Sequence, residues 1–351
     1  MSKLDNFLNK FSAQIAIDLG TANIRVLVSG EKEVIKEPAV VAINKSNNKV
    51  MAVGLEARKM IGRTPANIVA LQPLKAGVIS DFNSCEAIIS YFIHKVSKNF
   101  SIVSKIIKPT VVIGVPSLIT EVEIKAVMDS AKQAGAGRVY VVEEPMAAAI
   151  GSNLKIDEAT ASMIVDIGGG TTDIAIISMG GILVDNTVKV GGDNMDKAIV
   201  DYIKSKYNLL IPLKMAEDVK VSRGAAIVNQ SKEKITLRGQ DLLTGLPKSL
   251  DITPGELSEA IMPILEEIVK SIKEAMEKAP SEIISDLIVN GICLTGGGAM
   301  IQGLNKFLSG KLKVNVIVPD DPIFSVIKGL NKLIKRRELL DKIQIQDFIL
   351  R

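Results

Sequence analysis

Two distant stretches of the chain repeat one local pattern: an apolar strand ending in Asp, a turn of small or hydroxylic residues, and a second apolar strand. The first is Ile15-Ala16-Ile17-Asp18-Leu19-Gly20-Thr21-Ala22-Asn23, continued by Ile24 to Val28. The second is Met163-Ile164-Val165-Asp166-Ile167-Gly168-Gly169-Gly170-Thr171-Thr172-Asp173, continued by Ile174 to Ile177. A glycine turn lets backbone N–H groups converge on an anion, because no Cβ blocks the approach. An Asp at the strand end can hold the cation that accompanies a polyphosphate, directly or through water. One such turn says little. Its repetition points to a duplicated fold whose two hairpins, facing each other, would clamp a nucleotide.

The rest of the chain fits duplication. Its 351 residues give room for two domains with separate cores, and 47% hydrophobic with 23% charged residues suits a folded soluble protein. In the first half, Val40 to Ile43 and Val50 to Val53 read as a hairpin about the polar turn Asn44 to Asn48. Helices follow at Ser84 to Phe100 and Glu121 to Ala134, with strands at Val111 to Val115 and Val139 to Val142, and Pro145 opens a small-residue helix, Met146 to Ile150. The second half repeats the order: hairpin strands over 163–190, helices near 193–206 and 215–228, and a polar strand region near 232–252. A long helix, Glu256 to Lys278, follows, in which Pro263 marks either the first turn or a kink. Then come a strand at Gly291 to Leu294, a glycine cluster, a helix, a strand at Val314 to Val318 and a C-terminal helix. Strands alternating with helices on this scale predict α/β layers in two domains with a cleft between them.

Composition excludes several chemistries. The net charge is +4 and no basic block carries interleaved aromatics, so a nucleic-acid partner is not expected; the slight excess is compatible with an anionic membrane surface. Cys85 and Cys293 form no CxxC, which argues against a disulfide framework or zinc site and for a reducing cytoplasm. His94 is the sole histidine and reads as a partly exposed helix residue, so His triads and multi-His metal sites are excluded. No apolar run is long enough to span a bilayer, and no secretory signal opens the chain. Neither GxxxxGK[ST] nor GxGxxG occurs.

Four further features carry alternatives. Glu144, between a strand and Pro145, could orient and deprotonate a water aimed at a terminal phosphate, or could simply favour a helix N-terminus. Thr171 could relay a proton or satisfy its own turn. Gly296-Gly297-Gly298-Ala299 could let a base or phosphate lie on the backbone, or be only a tight turn, and Gly191-Gly192-Asp193 is a fourth candidate. Near the N-terminus, Leu4, Phe7, Leu8 and Phe11 form one helical stripe that could lie in a membrane interface or pack on its own domain. Phe100, Ile102 and Val103, between Lys98 and Lys105, could insert beside it or form the buried end of a helix.

With these pieces placed, the chain resembles the actin superfamily, and within it the MreB family of bacterial actins. The similarity runs through Ile17 to Asn23, Ile61-Gly62-Arg63-Thr64-Pro65, Glu143 to Gly151, Asp166 to Thr172, Asp241-Leu242-Leu243-Thr244-Gly245-Leu246-Pro247-Lys248 and Leu294 to Ala299. The resemblance implies an actin-like α/β fold of duplicated ribonuclease H-type domains, two lobes with four subdomains around a nucleotide cleft. Subdomain IA would comprise 1–32, 78–145 and 320–351; IB 33–77; IIA 146–187 and 250–319; IIB 188–249. It implies ATP or ADP with Mg²⁺, and weak ATP hydrolysis coupled to assembly into paired, antiparallel filaments on the inner membrane face that organise cell shape. Cell-shape or motility proteins would be further partners. Glu144 matches the residue that positions the attacking water and Thr171 the one that assists proton transfer. Asp18 and Asp166 match residues that hold the metal through water. Gly20, Thr21, Ala22, Asn23, Gly168, Gly169 and Gly170 match phosphate-turn positions, with Gly192 beside them. Gly296, Gly297, Gly298 and Ala299 match the adenosine side. The stripe at Leu4 to Phe11 and the group at Phe100 to Val103 fall where the family inserts into membrane.

The chain also departs from the pattern. Ser222 stands where the family places a carboxylate near the ribose; a hydroxyl lacks the ionised acceptor, which predicts weaker or less base-selective binding, with Glu217 or Lys220 taking more of that role. Asp173 replaces a Glu, only the first glycine of a Gly-x-Gly remains at Gly329, and Lys335-Arg336-Arg337 leads into a longer tail, either a basic membrane contact or a capped helix. An actin-fold small-molecule kinase and a plasmid-segregating actin are the rival readings. A lysine-rich chain without tryptophan hints at a low-GC genome, in which helical shape and swimming would be variants of the role in a wall-less host.

Overall fold

Apolar strand segments and glycine-bounded helices build two units, each around its own sheet. The structure is a computed structural model that describes residues 12–345 apart from 76, 99, 101–106, 118 and 228–232. The first unit comprises residues up to Leu154 together with the segment from Phe324 onward; the second spans Lys155–Ile323.

In the first unit β1 (Gln14–Leu19), β2 (Asn23–Val28) and β3 (Ile35–Pro38) form an antiparallel meander. A smaller three-stranded sheet follows, of β4 (Val41–Asn44), β5 (Lys49–Val53) and β6 (Ile68–Leu71), then the short pair β7 (Leu74–Lys75) and β8 (Val78–Ile79). The main sheet is completed by β9 (Thr110–Val115) and β10 (Arg138–Glu143), both parallel to β1, giving the order β3-β2-β1-β9-β10. Every residue of β9 is buried, as expected of a parallel strand covered on both faces. The helix Glu121–Gln133 starts on a capping box in which Thr120 and Glu123 satisfy each other's backbone.

The second unit repeats this plan. An antiparallel meander of β11 (Ser162–Ile167), β12 (Thr172–Ser178) and β13 (Gly181–Val188) is followed by a small sheet of β14 (Leu209–Leu210), β15 (Ile235–Asp241) and β16 (Pro247–Ile252). Then β17 (Ile292–Thr295) and β18 (Val316–Ile317) add in parallel, giving β13-β12-β11-β17-β18. Both sheets therefore share one strand order and one pattern of parallel and antiparallel neighbours. Each encloses a separate core: Ile15, Ile17, Phe92 and Ile113 are among the residues of one, and Met163, Val165, Ile199 and Leu294 of the other. Each such side chain contributes roughly 1.5–3 kcal/mol by leaving water.

Several expectations are adjusted. The long helix is Pro254–Glu277, capped by Thr253 and Glu256, so Pro263 lies inside it and the first turn belongs to Pro254. Pro280 does more than follow that helix; it caps another, Ser281–Asn290, that the periodicity did not separate. The helix expected over 215–228 is Leu213–Arg223, and the strand expected over 314–318 covers only Val316–Ile317. The two units divide at 154/155 and 323/324, close to the 145/146 and 319/320 expected for the lobes.

Near the first division lies a close helix crossing. Glu144–Gly151 packs on Ser325–Lys335, and both belong to the first unit. A Cβ on Gly151 would lie 1.8 Å from the Ser325 carbonyl oxygen, and one on Gly329 would lie 1.8 Å from that of Ala147. Lys332 locks the pair by donating from Nζ to the Ile150 and Gly151 carbonyls, at 2.9 and 3.0 Å, and to Asn153 Oδ1 at 2.7 Å. Here backbone meets backbone, and neither can yield to a methyl group. Gly151→Ala is expected to destabilise the protein by about 2–3 kcal/mol in urea unfolding, through overpacking. Gly310→Ala, in a helix with open space around it, is the control and should be neutral or stabilising by up to about 1 kcal/mol. Equal effects at both positions would show that crowding is not the cause.

Candidate functional site

The first repeated turn is tightly built. Asp18 is buried one residue before the end of β1, and Gly20 sits so close to the Asn23 carbonyl that a Cβ would stand 2.7 Å from it. Thr21 is buried, whereas Ala22 and Asn23 are half-buried at the turn's rim. Across the hairpin Asp18 pairs in register with Arg25, whose Nη1 donates to Asp18 Oδ2 at 2.8 Å. Burial lifts the Asp18 carboxyl above the ordinary carboxylate range, and Arg25 opposes that shift.

In the same unit β10 runs directly into the helix Glu144–Gly151, with Pro145 in its first turn. Glu144 is buried at that N-terminus, where the helix dipole favours a carboxylate. Its Cγ lies 3.7 Å from the position a Cβ on Gly114 of β9 would take.

The second unit brings three glycine segments together around the turn after β11. Gly168 N–H closes that turn on the Thr171 carbonyl at 2.8 Å. The Gly191-Gly192 segment lies directly on it: Gly192 and Asp193 donate backbone N–H groups to the Gly168 and Gly169 carbonyls at 3.0 and 2.8 Å. A Cβ on Gly191 would stand 2.7 Å from the Gly169 oxygen. From the other side Gly296, at φ +82°, approaches so closely that its Cβ would meet Asp166 Oδ1 at 2.2 Å and the Ile167 carbonyl at 2.3 Å. Gly298 packs on the Ile167 side chain, Ala299 is buried, and Gly297 is exposed with nothing near its missing Cβ. The helix expected straight after this cluster is a short 3₁₀ turn, Gly298–Met300; the α-helix begins at Leu304.

Thr171 and Asp173 are part of a buried hydroxyl–carboxylate chain. Thr171 Oγ1 donates to Asp173 Oδ2 at 3.0 Å, and Thr187 Oγ1 donates to Asp173 Oδ1 at 2.7 Å. Burial pushes Asp173 up to about 6, against those two hydrogen bonds and with the Asp185 charge assisting. With its proton directed at Asp173, the Thr171 oxygen keeps its lone pairs for another donor. Asp166 is buried and lies in register with Asp173 on β12 and Thr295 on β17.

The residues expected to compensate for Ser222 are already engaged. Lys220 Nζ donates to the Gly192 carbonyl at 2.7 Å and pairs with Asp196 at 2.8 Å, nearly buried on both sides. Burial lifts Asp196 to about 6, with Lys220 pulling it back down. Lys220 thus braces the glycine segment that rests on the phosphate-type turn. Glu217 pairs with Lys214 at 3.1 Å, and the Ser222 hydroxyl donates back to the Asp218 carbonyl at 2.7 Å. The end of this helix is tied to the third glycine cluster through Gln302, which donates to the Gly224 carbonyl and accepts from Ala226.

The donor set fits a cation that arrives with most of its ligands. Among the described residues no group of three or more His, Cys, Asp or Glu side chains is arranged to hold a metal alone. Asp18 and Asp166 are single carboxylates at strand ends, suited to holding a hydrated ion beside phosphates.

Leu4, Phe7, Leu8, Phe11, Ile102 and Val103 lie outside the described residues. Phe100 is half-buried against the first unit's core. No described helix is long and apolar enough to cross a membrane.

Comparison with known proteins matches this arrangement. Residues 12–342 match the family model described as MreB/Mbl protein. The chain is 43% identical over 334 residues to the cell shape-determining protein Mbl of Bacillus subtilis (strain 168), covering 95% of this chain and 98% of that protein. It is 41% identical over 336 residues to the cell shape-determining protein MreB of Escherichia coli (strain K12), covering 95% and 96%. The crystal structure of MreB5 of Spiroplasma citri bound to ADP superposes with a TM-score of 0.85 at 34% identity, covering 94% of this chain and 98% of that one. The AMPPNP-bound form of the same protein gives 0.86 at 33%, with the same coverage. The MamK double helical filament, at 22% identity and a TM-score of 0.75 over 92% of this chain and 99% of that one, shares the fold. From its duplicated sheets, its repeated turns and these end-to-end likenesses, the chain belongs to the MreB/Mbl family of actin-like proteins.

Proposed function

We propose that this chain binds ATP with Mg²⁺, hydrolyses it slowly, and couples its nucleotide state to assembly into filaments on the inner face of the cell membrane, where they determine cell shape. The observation that carries the reading is the strand–Asp–glycine-turn hairpin in both units, reinforced in the second by glycine segments laid against it. The nucleotide-bound MreB5 structures support the ligand, and the MamK filament supports self-association.

Within this reading the backbone N–H groups of the 20–23 and 168–170 turns bind phosphate oxygens, and Asp18 and Asp166 would hold the cation through water. Bound Mg²⁺ would neutralise phosphate charge as it develops in transfer to water. In the first unit Glu144 orients the attacking water and draws on its proton. In the second, the Thr171 hydroxyl, held by Asp173, accepts and passes a proton. The segment at Gly296 to Ala299, tied to the Lys220 helix, takes the adenosine side. An antiparallel double filament, attachment through the stripe at Leu4 to Phe11, and service to helical shape or motility belong to the same proposal.

Glu144→Gln is expected to lower phosphate release about 10–100-fold while ATP affinity stays within about threefold, as for loss of a water-orienting base. Parallel loss of release and binding would make Glu144 a structural residue. Sedimentation should show pelleting that requires Mg-ATP; transfer of phosphate to a sugar or other small hydroxyl compound without pelleting would support a kinase instead. Deleting residues 1–12 is expected to reduce co-pelleting with anionic liposomes at least about threefold, the amphipathic stripe supplying most of the buried apolar area. Undiminished binding would assign that stripe to the protein's interior.

A further inference from the structure

The sequence offers the start of the helix Gly192–Tyr207 as a fourth glycine segment for an anion, yet its first amides are not free to take one. Gly192 and Asp193 donate to the Gly168 and Gly169 carbonyls at 3.0 and 2.8 Å, so both are spent on the turn after β11. What they fix is the turn itself. No cis peptide occurs among the described residues, and in a planar trans peptide each N–H points opposite to the carbonyl of the residue before it. Drawing the Gly168 and Gly169 carbonyls toward the helix therefore turns the Gly169 and Gly170 N–H groups away from it. Gly169 is half-buried, and among the described residues its N–H meets no backbone carbonyl.

The helix is in turn held by one side chain. Lys220 Nζ donates to the Gly192 carbonyl at 2.7 Å and pairs with Asp196 Oδ1 at 2.8 Å, with side-chain exposures of 12% for Lys220 and 7% for Asp196. Residues 192 and 196 lie one turn apart on one helix face, so a grip on both sets where the helix sits and how it is rotated. We propose that Lys220 is a positioning residue for polyphosphate: by seating this helix on the turn it aims the Gly169 N–H at a phosphate oxygen, and it takes no part in holding the adenosine. The proposal rests on the nucleotide reading above. Donors aimed before the ligand arrives cost no reorganisation when it binds, which is what a loosened helix would forfeit.

The test is equilibrium binding to the full chain at fixed ionic strength, by calorimetry for ATP and by ligand-observed NMR for adenosine. Lys220→Met is expected to weaken ATP by about 10–100-fold, the worth of one or two hydrogen bonds to a charged group, and to leave adenosine within about twofold. Equal loss of both ligands would place Lys220 on the adenosine and overturn the proposal, as would unchanged affinity for ATP. Removing a positive charge also weakens Coulomb attraction to phosphate, so Asp196→Asn separates the two causes. A field effect would tighten ATP binding there, because a negative charge is lost, whereas a loosened grip on the helix should weaken it about three- to tenfold. Tighter or unchanged ATP binding in Asp196→Asn would contradict the proposal. Circular dichroism verifies folding, and should Lys220→Met not fold, Asp196→Asn carries the test with both ligands. Absence of ATP binding by the unmodified chain would overturn the nucleotide reading and this inference with it.

Discussion

Backbone lying directly on backbone is the constraint from which the second unit's site follows. The 168–170 turn is held from one side by Gly191 and Gly192 and from the other by Gly296, at separations that leave no room for a side chain. Such packing fixes the turn before any ligand arrives, and it presents peptide groups rather than side chains to whatever binds there. Lys220 extends the constraint outward by gripping the Gly192 carbonyl from the last turn of a helix whose C-cap, Gly224, is tied to Gln302. The turn, its two covering segments and this helix form one connected framework.

The same logic sets the first unit's architecture. Gly151 and Gly329 let two helices cross in contact, and Lys332 caps one from the other. Glu144 is the first residue of one of these helices, so its place at the end of β10 is fixed by a crossing several residues away. Both units carry the same strand order in the main sheet and a three-stranded small sheet inserted after the meander, yet their turns are tuned differently. The first relies on an ion pair at Asp18, the second on glycines and a hydroxyl chain at Asp173.

Much of this is legible in the residues. The two hairpins read correctly because alternating apolar residues and a glycine turn are local signals, and the glycine clusters at 191 and 296 were recognisable by the strand–helix junctions around them. What escaped is contact between segments distant in sequence. Nothing local to 146–154 shows that it packs on Ser325–Lys335. The helix Ser281–Asn290 was hidden because Pro280 reads equally as the end of one helix and the start of another. Lys220 looked available to a ligand because Asp196, its partner, lies on a different helix. Arg25 could have been found. Once the β1–β2 turn is placed, the antiparallel register puts residue 25 opposite residue 18.

In the proposed function, polyphosphate binds at the glycine-bounded turns after Asp18 and Asp166. Hydrogen exchange read by mass spectrometry, on peptides covering 15–23 and 163–173 with and without ATP, addresses it most directly. Slower exchange is expected at both turns when ATP is added, with the 235–252 strands unchanged. Protection confined to other segments, with both turns exchanging as before, would contradict it.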